Sequence, residues 1–262
     1  MVDGTRGRVP AANGGCVMTR MLASVIDWRE LESAIQAGVD IIDLKNPHTG
    51  ALGALPIESI RSLAASCGGR CPVSATVGDL PAEPQQLAQA IGRTAECGVD
   101  YVKVGFFSPE NLTRCLQAIS RLTHRHKVVA VLFADREPPL ERLAEFAGSG
   151  FRGVMLDTAE KGGGGLLDHM DLNRLERFVS EVRALDMISG LAGSLRLEDI
   201  PQLHCLLPDY LGFRGALCEG RKRTAGIAPH RLRAIHDALA QAATRRERTV
   251  PALSRWLKSG AG

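Results

Sequence analysis

Eight short apolar runs, each followed by an amphipathic stretch, set the tightest limit on how this 262-residue chain can fold. The runs are RMLASVI (20–26), VDIIDLK (39–45), CPVSATVG (71–78), DYVKVGFF (100–107), KVVAVLFAD (127–135), FRGVMLD (151–157), MISGLAG (187–193) and PDYLGFRGAL (208–217). Most are apolar throughout rather than alternating, as parallel strands covered on both faces should be. The stretches between them read as helices over 28–38, 56–67, 84–98, 109–122, 139–148, 171–184, 196–206 and 229–243, the second opening at Pro56 and the first ending at Gly38. The openings AGVD, CGVD and GSGF put a glycine where each helix must stop and turn back into a strand. Eight such units in about 225 residues predict a (β/α)8 TIM barrel. A doubly wound sheet is the alternative, but no GxGxxG follows the first run.

The barrel is expected over 20–243. Residues 1–19 are Gly-rich and aperiodic, and read as a disordered N-terminal extension. Residues 244–262 read as a basic C-terminal tail. Hydrophobic residues make up 45% of the chain, enough for a core, but aromatics only 4%, which leaves few platforms for stacking bases. The net charge of +3 is too small to imply nucleic acid, though it suits a small anionic substrate. The seven cysteines form no CxxC pair and no zinc-spaced cluster, so reduced thiols in the cytoplasm are expected. No apolar run approaches the roughly 18–20 residues that a membrane span needs.

Barrel enzymes carry their chemistry at the C-terminal ends of the strands. Here those ends hold Asp43 and Lys45, then Ser74, Thr76 and Asp79, then Lys103, Asp135, Asp157 and Lys161, then Gly193 and Ser194, and last Arg214 and Gly215. Lys45, Lys103 and Lys161 recur at intervals of 58 residues, so strands two, four and six bring them to one mouth. Burial disfavours the ammonium form, and an amine without its proton can attack a carbonyl to form a Schiff base. Asp43 and Lys45 share one face of a strand; their pairing would raise the lysine pKa, whereas Lys103 would lower it.

The segments AGS (192–194) and FRG (213–215) are candidate phosphate loops, with Gly193, Ser194 and Gly215 offering backbone N–H groups and Arg214 a bidentate contact. Ser194 serves equally well as a helix N-cap. The GGGG run (162–165) reads as a lid or a flexible loop. RKR (221–223) is either a contact to a second phosphate or a solvated charge run.

The strings DIIDLKNPHTGALGA, VSATVGDLP, DYVKVGF, VMLDTAEK, LAGSL and GFRGALC, in order from about residue 21 to 240, resemble the (5-formylfuran-3-yl)methyl phosphate synthase family. The resemblance implies a class I aldolase-like barrel of methanofuran biosynthesis. Such enzymes condense two molecules of glyceraldehyde 3-phosphate and lose phosphate and water. It makes Lys45 the Schiff-base lysine and Lys103 the proton acceptor, with Asp43, Asp157 and Lys161 assisting proton transfer and substrate charge. Ser74, Asp79, Gly193, Ser194, Arg214 and Gly215 are the expected substrate contacts. No metal or organic cofactor is expected. The partners are then small phosphorylated trioses and other copies of the chain, not nucleic acid or membrane. Another Schiff-base aldolase, or a phosphometabolite-binding barrel without catalysis, remains an alternative.

Overall fold

The computed structural model describes residues 18–160 and 162–259, with the side chains of the last helix described as far as Arg245. The expected extension up to residue 17 lies outside them, as does Lys161. Eight parallel strands, β1 (Arg20–Val25), β2 (Ile41–Leu44), β3 (Val73–Thr76), β4 (Tyr101–Phe106), β5 (Val128–Phe133), β6 (Gly153–Asp157), β7 (Ile188–Leu191) and β8 (Tyr210–Phe213), close into a barrel in chain order. Pairing of β1 with both β2 and β8 leaves no edge strand. Around them lie α1 (Trp28–Gln36), α2 (Ile57–Cys67), α3 (Pro84–Ala95), α4 (Leu112–Thr123), α5 (Leu143–Gly148), α6 (Leu166–His169), α7 (Leu172–Ala184), α8 (Ile200–Cys205) and α9 (Pro229–Ser259).

Local chemistry accounts for the element ends. The Asp27 carboxylate caps α1 by accepting from the Glu30 N–H at 2.9 Å, and Asp171 caps α7 by accepting from Arg174. Gly38, Gly98 and Gly150, the glycines of the three repeated openings, all adopt positive φ (76°, 86° and 79°), which turns each helix end into the next strand.

Strand alternation divides the interior into two apolar layers. Outward residues such as Val73, Ala75, Val102, Val104 and Phe106 pack with the helix residues Leu87, Ile91 and Leu116. Inward residues Leu22, Val129, Val131, Met155 and Tyr210 form a smaller cluster inside the barrel. The polar inward positions fall among them: Asp43 is level with Ser24 of β1 and Ser74 of β3, and Lys103 is level with Thr76.

The loop between β2 and α2 closes part of the mouth. Its buried Ala51 and Leu52 pack with buried Phe133 and half-buried Phe107, whose rings stack at 4.2 Å. Gly105 of β4 makes the room, because a Cβ there would lie 2.7 Å from Leu52 Cδ1. The plug is tied down by the Asp79 carboxylate, which accepts from the N–H groups of Ala51 and Leu52 (2.7 and 2.6 Å), and by Thr76, which donates to the Gly53 carbonyl.

Two segments differ from the expectation. The glycine run leads into α6, and Leu166 is buried with its N–H on the Gly193 carbonyl at 2.9 Å, so the end of that run is anchored on the loop after β7. The last helix continues to Ser259, through the segment read as a basic tail. Helix formers such as Arg, Glu and Ala run on past residue 243 with no glycine to stop them. Among the described residues no helix is long and apolar enough to cross a membrane.

Candidate active site

The C-terminal ends of the strands surround a cavity of about 720 Å³, to which Lys45, Lys103, Asp43 and Asp157 all contribute. All four are buried. Asp43 and Lys45 lie on one face of β2, as their spacing requires, yet they do not pair with each other. Lys45 Nζ donates to Asp157 Oδ2 of β6 at 3.3 Å, across the barrel, and Lys103 Nζ donates to Asp43 Oδ1 at 2.9 Å. Two Lys–Asp pairs therefore bridge different strands within one cavity. The shared face of Asp43 and Lys45 left their pairing open, and the structure gives each a partner on another strand.

Asp43 is more fully satisfied than a simple ion pair. Its Oδ1 also accepts from the Ser74 hydroxyl at 2.7 Å, and its Oδ2 from the Ser24 hydroxyl at 3.0 Å. Burial acts to raise the Asp43 carboxyl, but Lys103, Lys45 and the Ser74 hydrogen bond together hold it below its ordinary range. For Lys103 burial dominates and pushes the ammonium below the ordinary lysine range; Asp43 opposes that shift and Lys45 reinforces it. Asp157 Oδ1 accepts from the Thr158 N–H at 2.7 Å, which fixes the carboxylate that meets Lys45.

Other expected site residues sit elsewhere. Ser74 lies behind Asp43 and orients it. Asp79 spends both oxygens on the plug loop rather than on a ligand. Asp135 likewise accepts from the N–H groups of Ala159 and Glu160 at 2.8 and 2.7 Å, holding the turn after β6; burial opposes those bonds, but they keep its carboxyl below the ordinary range. Each of these carboxylates shapes a loop.

The candidate phosphate loops do line the cavity through Gly193, Ser194, Gly215 and Ala216, whose backbone N–H groups find no acceptor among the described residues. Ser194 has φ of 50°, and it is Arg196 that stands at the start of the following turn, where its N–H donates to Asp199. The capping reading of Ser194 therefore falls away. Gly193 has φ of 107°, and a Cβ there would lie 2.9 Å from Thr158 Cγ2 and 3.1 Å from Thr158 N, against the segment that carries Asp157. Gly193→Ala should raise KM for a phosphorylated substrate at least about tenfold and lower stability by about 1–3 kcal/mol. Steady-state kinetics and a urea melt would read both.

Arg214 requires the largest correction. Arg214 lines the cavity, but its guanidinium already spends its donors inside the protein, on Glu30, Ser24 O, Arg223 O and Ala225 O. Glu30, on the first turn of α1, is buried and also accepts from the N–H groups of Ile26 and Ile227. Removing one partner of such a pair strands the other charge. Arg214→Met should destabilise the protein by about 3–5 kcal/mol, measured as a fall in the urea midpoint. An unchanged midpoint would mean that Glu30 is reached by water.

Residues not singled out from the sequence also face the cavity: Ser24, Arg196 and Arg231. Ser24 is a polar residue inside an apolar run, a signal that was present in RMLASVI.

The model of the 4-HFC-P synthase family matches residues 21–236. A Methylorubrum extorquens protein, provisionally named (5-formylfuran-3-yl)methyl phosphate synthase, is 40% identical over 220 residues, covering 84% of this chain and 91% of that one. The (5-formylfuran-3-yl)methyl phosphate synthase of Methanopyrus kandleri is 37% identical over 234 residues, covering 84% and 99%. Among solved structures, phosphoribosyl anthranilate isomerase from Thermotoga maritima superposes with a TM-score of 0.64 at 13% identity, covering 86% of this chain and 100% of that one, a likeness of fold. The match runs from β1 into α9 and includes all four residues of the two Lys–Asp pairs, and the chain belongs to the 4-HFC-P synthase family.

Proposed function

We propose that this protein is a Schiff-base lyase that condenses two molecules of glyceraldehyde 3-phosphate into (5-formylfuran-3-yl)methyl phosphate, with loss of phosphate and water, for methanofuran synthesis. The observation that carries the reading is the pair of buried Lys–Asp bridges in one cavity, Lys45–Asp157 and Lys103–Asp43. The names of the relatives support the product.

In this reading Lys45, as its free amine, attacks the aldehyde carbon of one triose phosphate. The carbinolamine loses water to give a protonated imine, with Asp157 taking and returning protons at Nζ. The imine draws electrons from the adjacent carbon, and the unprotonated Lys103 amine removes the proton there. Its suppressed basicity suits the task, because a buried amine is available at lower pH than an exposed one. Asp43, kept ionised, receives the Lys103 ammonium that results. The enamine then either expels its phosphate or attacks the aldehyde of the second molecule. Ring closure, dehydration and hydrolysis of the imine release the furan and restore Lys45. Backbone N–H groups of Gly193, Ser194, Gly215 and Ala216 hold one phosphate throughout. For Lys161 the role in substrate charge rests on the resemblance alone.

The test is direct. Purified protein is incubated with glyceraldehyde 3-phosphate while inorganic phosphate and furan absorbance are followed, and a parallel sample is trapped with borohydride for peptide mass spectrometry. Phosphate, a furan and an adduct on Lys45 are expected. An adduct without either product would move the protein to the reversible aldolases.

A further inference from the structure

The lysine pairs leave much of the charge in the cavity unexplained. Arg196 after β7, Arg221 and Arg223 after β8, and Arg231 on the first turns of α9 line the same space. The carboxylates that line it with them are Asp43 and Asp157, each already engaged by a lysine. Arg221 meets Glu198 only at 3.8 Å, with both side chains more than half exposed, a pairing of little strength. Arg223 is half-buried and gives one N–H to the Gly50 carbonyl at 2.8 Å. Arg231 has a buried Nε that finds no partner among the described residues. An unsatisfied guanidinium nitrogen out of water is costly unless a ligand completes it.

These arginines are also held in place. Arg214 donates to the carbonyls of Arg223 and Ala225, and Glu30 accepts from Arg214 and from the Ile227 N–H. The loop that carries Arg221 and Arg223 is therefore fastened at several points to the buried Glu30–Arg214 pair. A solvated charge run would not need that support. Burial pushes the Arg223 guanidinium below its ordinary range, while Asp157 opposes the shift.

We propose that Arg196, Arg223 and Arg231, with Arg221 at the outside, form a second anion site that takes the phosphate ester of a second substrate molecule. It adds side-chain donors to a cavity that already presents the backbone N–H groups of Gly193, Ser194, Gly215 and Ala216. The inference deepens the proposed synthase reading and rests on it for the identity of the ligand. Condensing two phosphorylated aldehydes brings two dianions into one cavity, and a single cluster of N–H groups can hold only one of them. Guanidinium forks match phosphate oxygens two at a time, which fixes orientation as well as charge. A second phosphate held in the same cavity as Lys45 would keep its aldehyde within the space where the enamine forms.

The test uses the full chain and inorganic phosphate as probe, followed by isothermal titration calorimetry. The unaltered protein should bind two phosphates per chain. The double variant Arg223→Gln/Arg231→Gln should bind one, with the other weakened about ten- to hundredfold or lost. Arg196→Gln, an exposed position, provides the same readout if the double variant fails to fold, and should weaken one of the two sites about tenfold. One phosphate in the unaltered protein, or two unchanged sites in the variants, overturns the proposal. Because the titration needs no turnover, it separates this inference from the synthase reading. Two phosphate sites, one of them arginine-dependent, in a protein that makes no furan would keep the anion site and remove only that substrate.

Discussion

If Lys45 is the Schiff-base lysine of the proposed reaction, Lys45→Arg should lower turnover about a thousandfold or more and leave the fold intact. An arginine retains the positive charge that faces Asp157 at 3.3 Å, so the ion pair across the barrel survives. What it lacks is an amine able to become an imine. The loss is therefore chemical rather than structural, and removal of a covalent nucleophile is among the largest single-residue effects known in enzymes. Geometry favours Lys45 over Lys103 as nucleophile: both line the cavity, but the Lys45 side chain is 10% exposed and that of Lys103 only 3%, and it is locked onto Asp43. The measurement is product formation from glyceraldehyde 3-phosphate beside borohydride trapping. The unaltered protein should carry the adduct on the peptide containing Lys45, and the variant should carry none. Activity near that of the unaltered protein would remove Lys45 from the nucleophile's role, and an adduct appearing on Lys103 would exchange the two lysines.

The architecture was legible in the sequence because its signals are local. A strand buried on both faces is apolar throughout, and a glycine that ends a helix shows itself at Gly38, Gly98 and Gly150 whatever surrounds it. Convergence of Lys45 and Lys103 followed from barrel closure and strand order alone. Their partners did not. Whether Lys45 meets Asp43, two residues away, or Asp157, far along the chain, depends on how β2 and β6 face each other across the closed barrel. Sequence proximity could not decide between the two carboxylates.

The acids at other strand ends carry a similar lesson. Asp79 and Asp135 occupy positions that suit catalysis, but loops with unpaired N–H groups need acceptors as much as substrates do. Asp79 serves Ala51 and Leu52, and Asp135 serves Ala159 and Glu160. Arg214 was read as a phosphate ligand because it follows β8 next to a glycine; its true partner, Glu30, lies on the first turn of α1 and shares no motif with it. The plug formed by Ala51 and Leu52 was invisible for the same reason, since it depends on the space above Gly105.

Lys103→Gln should reduce turnover about a hundred- to ten-thousandfold while sparing the first covalent step. That range is what removal of a positioned general base costs. The glutamine still offers an N–H to Asp43 Oδ1, and the hydroxyls of Ser24 and Ser74 remain on the carboxylate, so the site keeps its shape. Borohydride should then still capture substrate on Lys45, because imine formation does not require the proton that Lys103 removes. Loss of trapping would instead make Lys103 a group that tunes Lys45. The pH profile gives a second, independent reading. Abstraction needs the unprotonated amine, so the rate rises with pH as Lys103 loses its proton. Burial lowers the Lys103 pKa, with Lys45 reinforcing the shift and Asp43 resisting it, so this rise falls below the ordinary lysine range. In the variant that limb should vanish from the residual rate. A limb that persists unchanged in Lys103→Gln belongs to another group, and Lys103 would then be a structural counterion of Asp43 rather than the base.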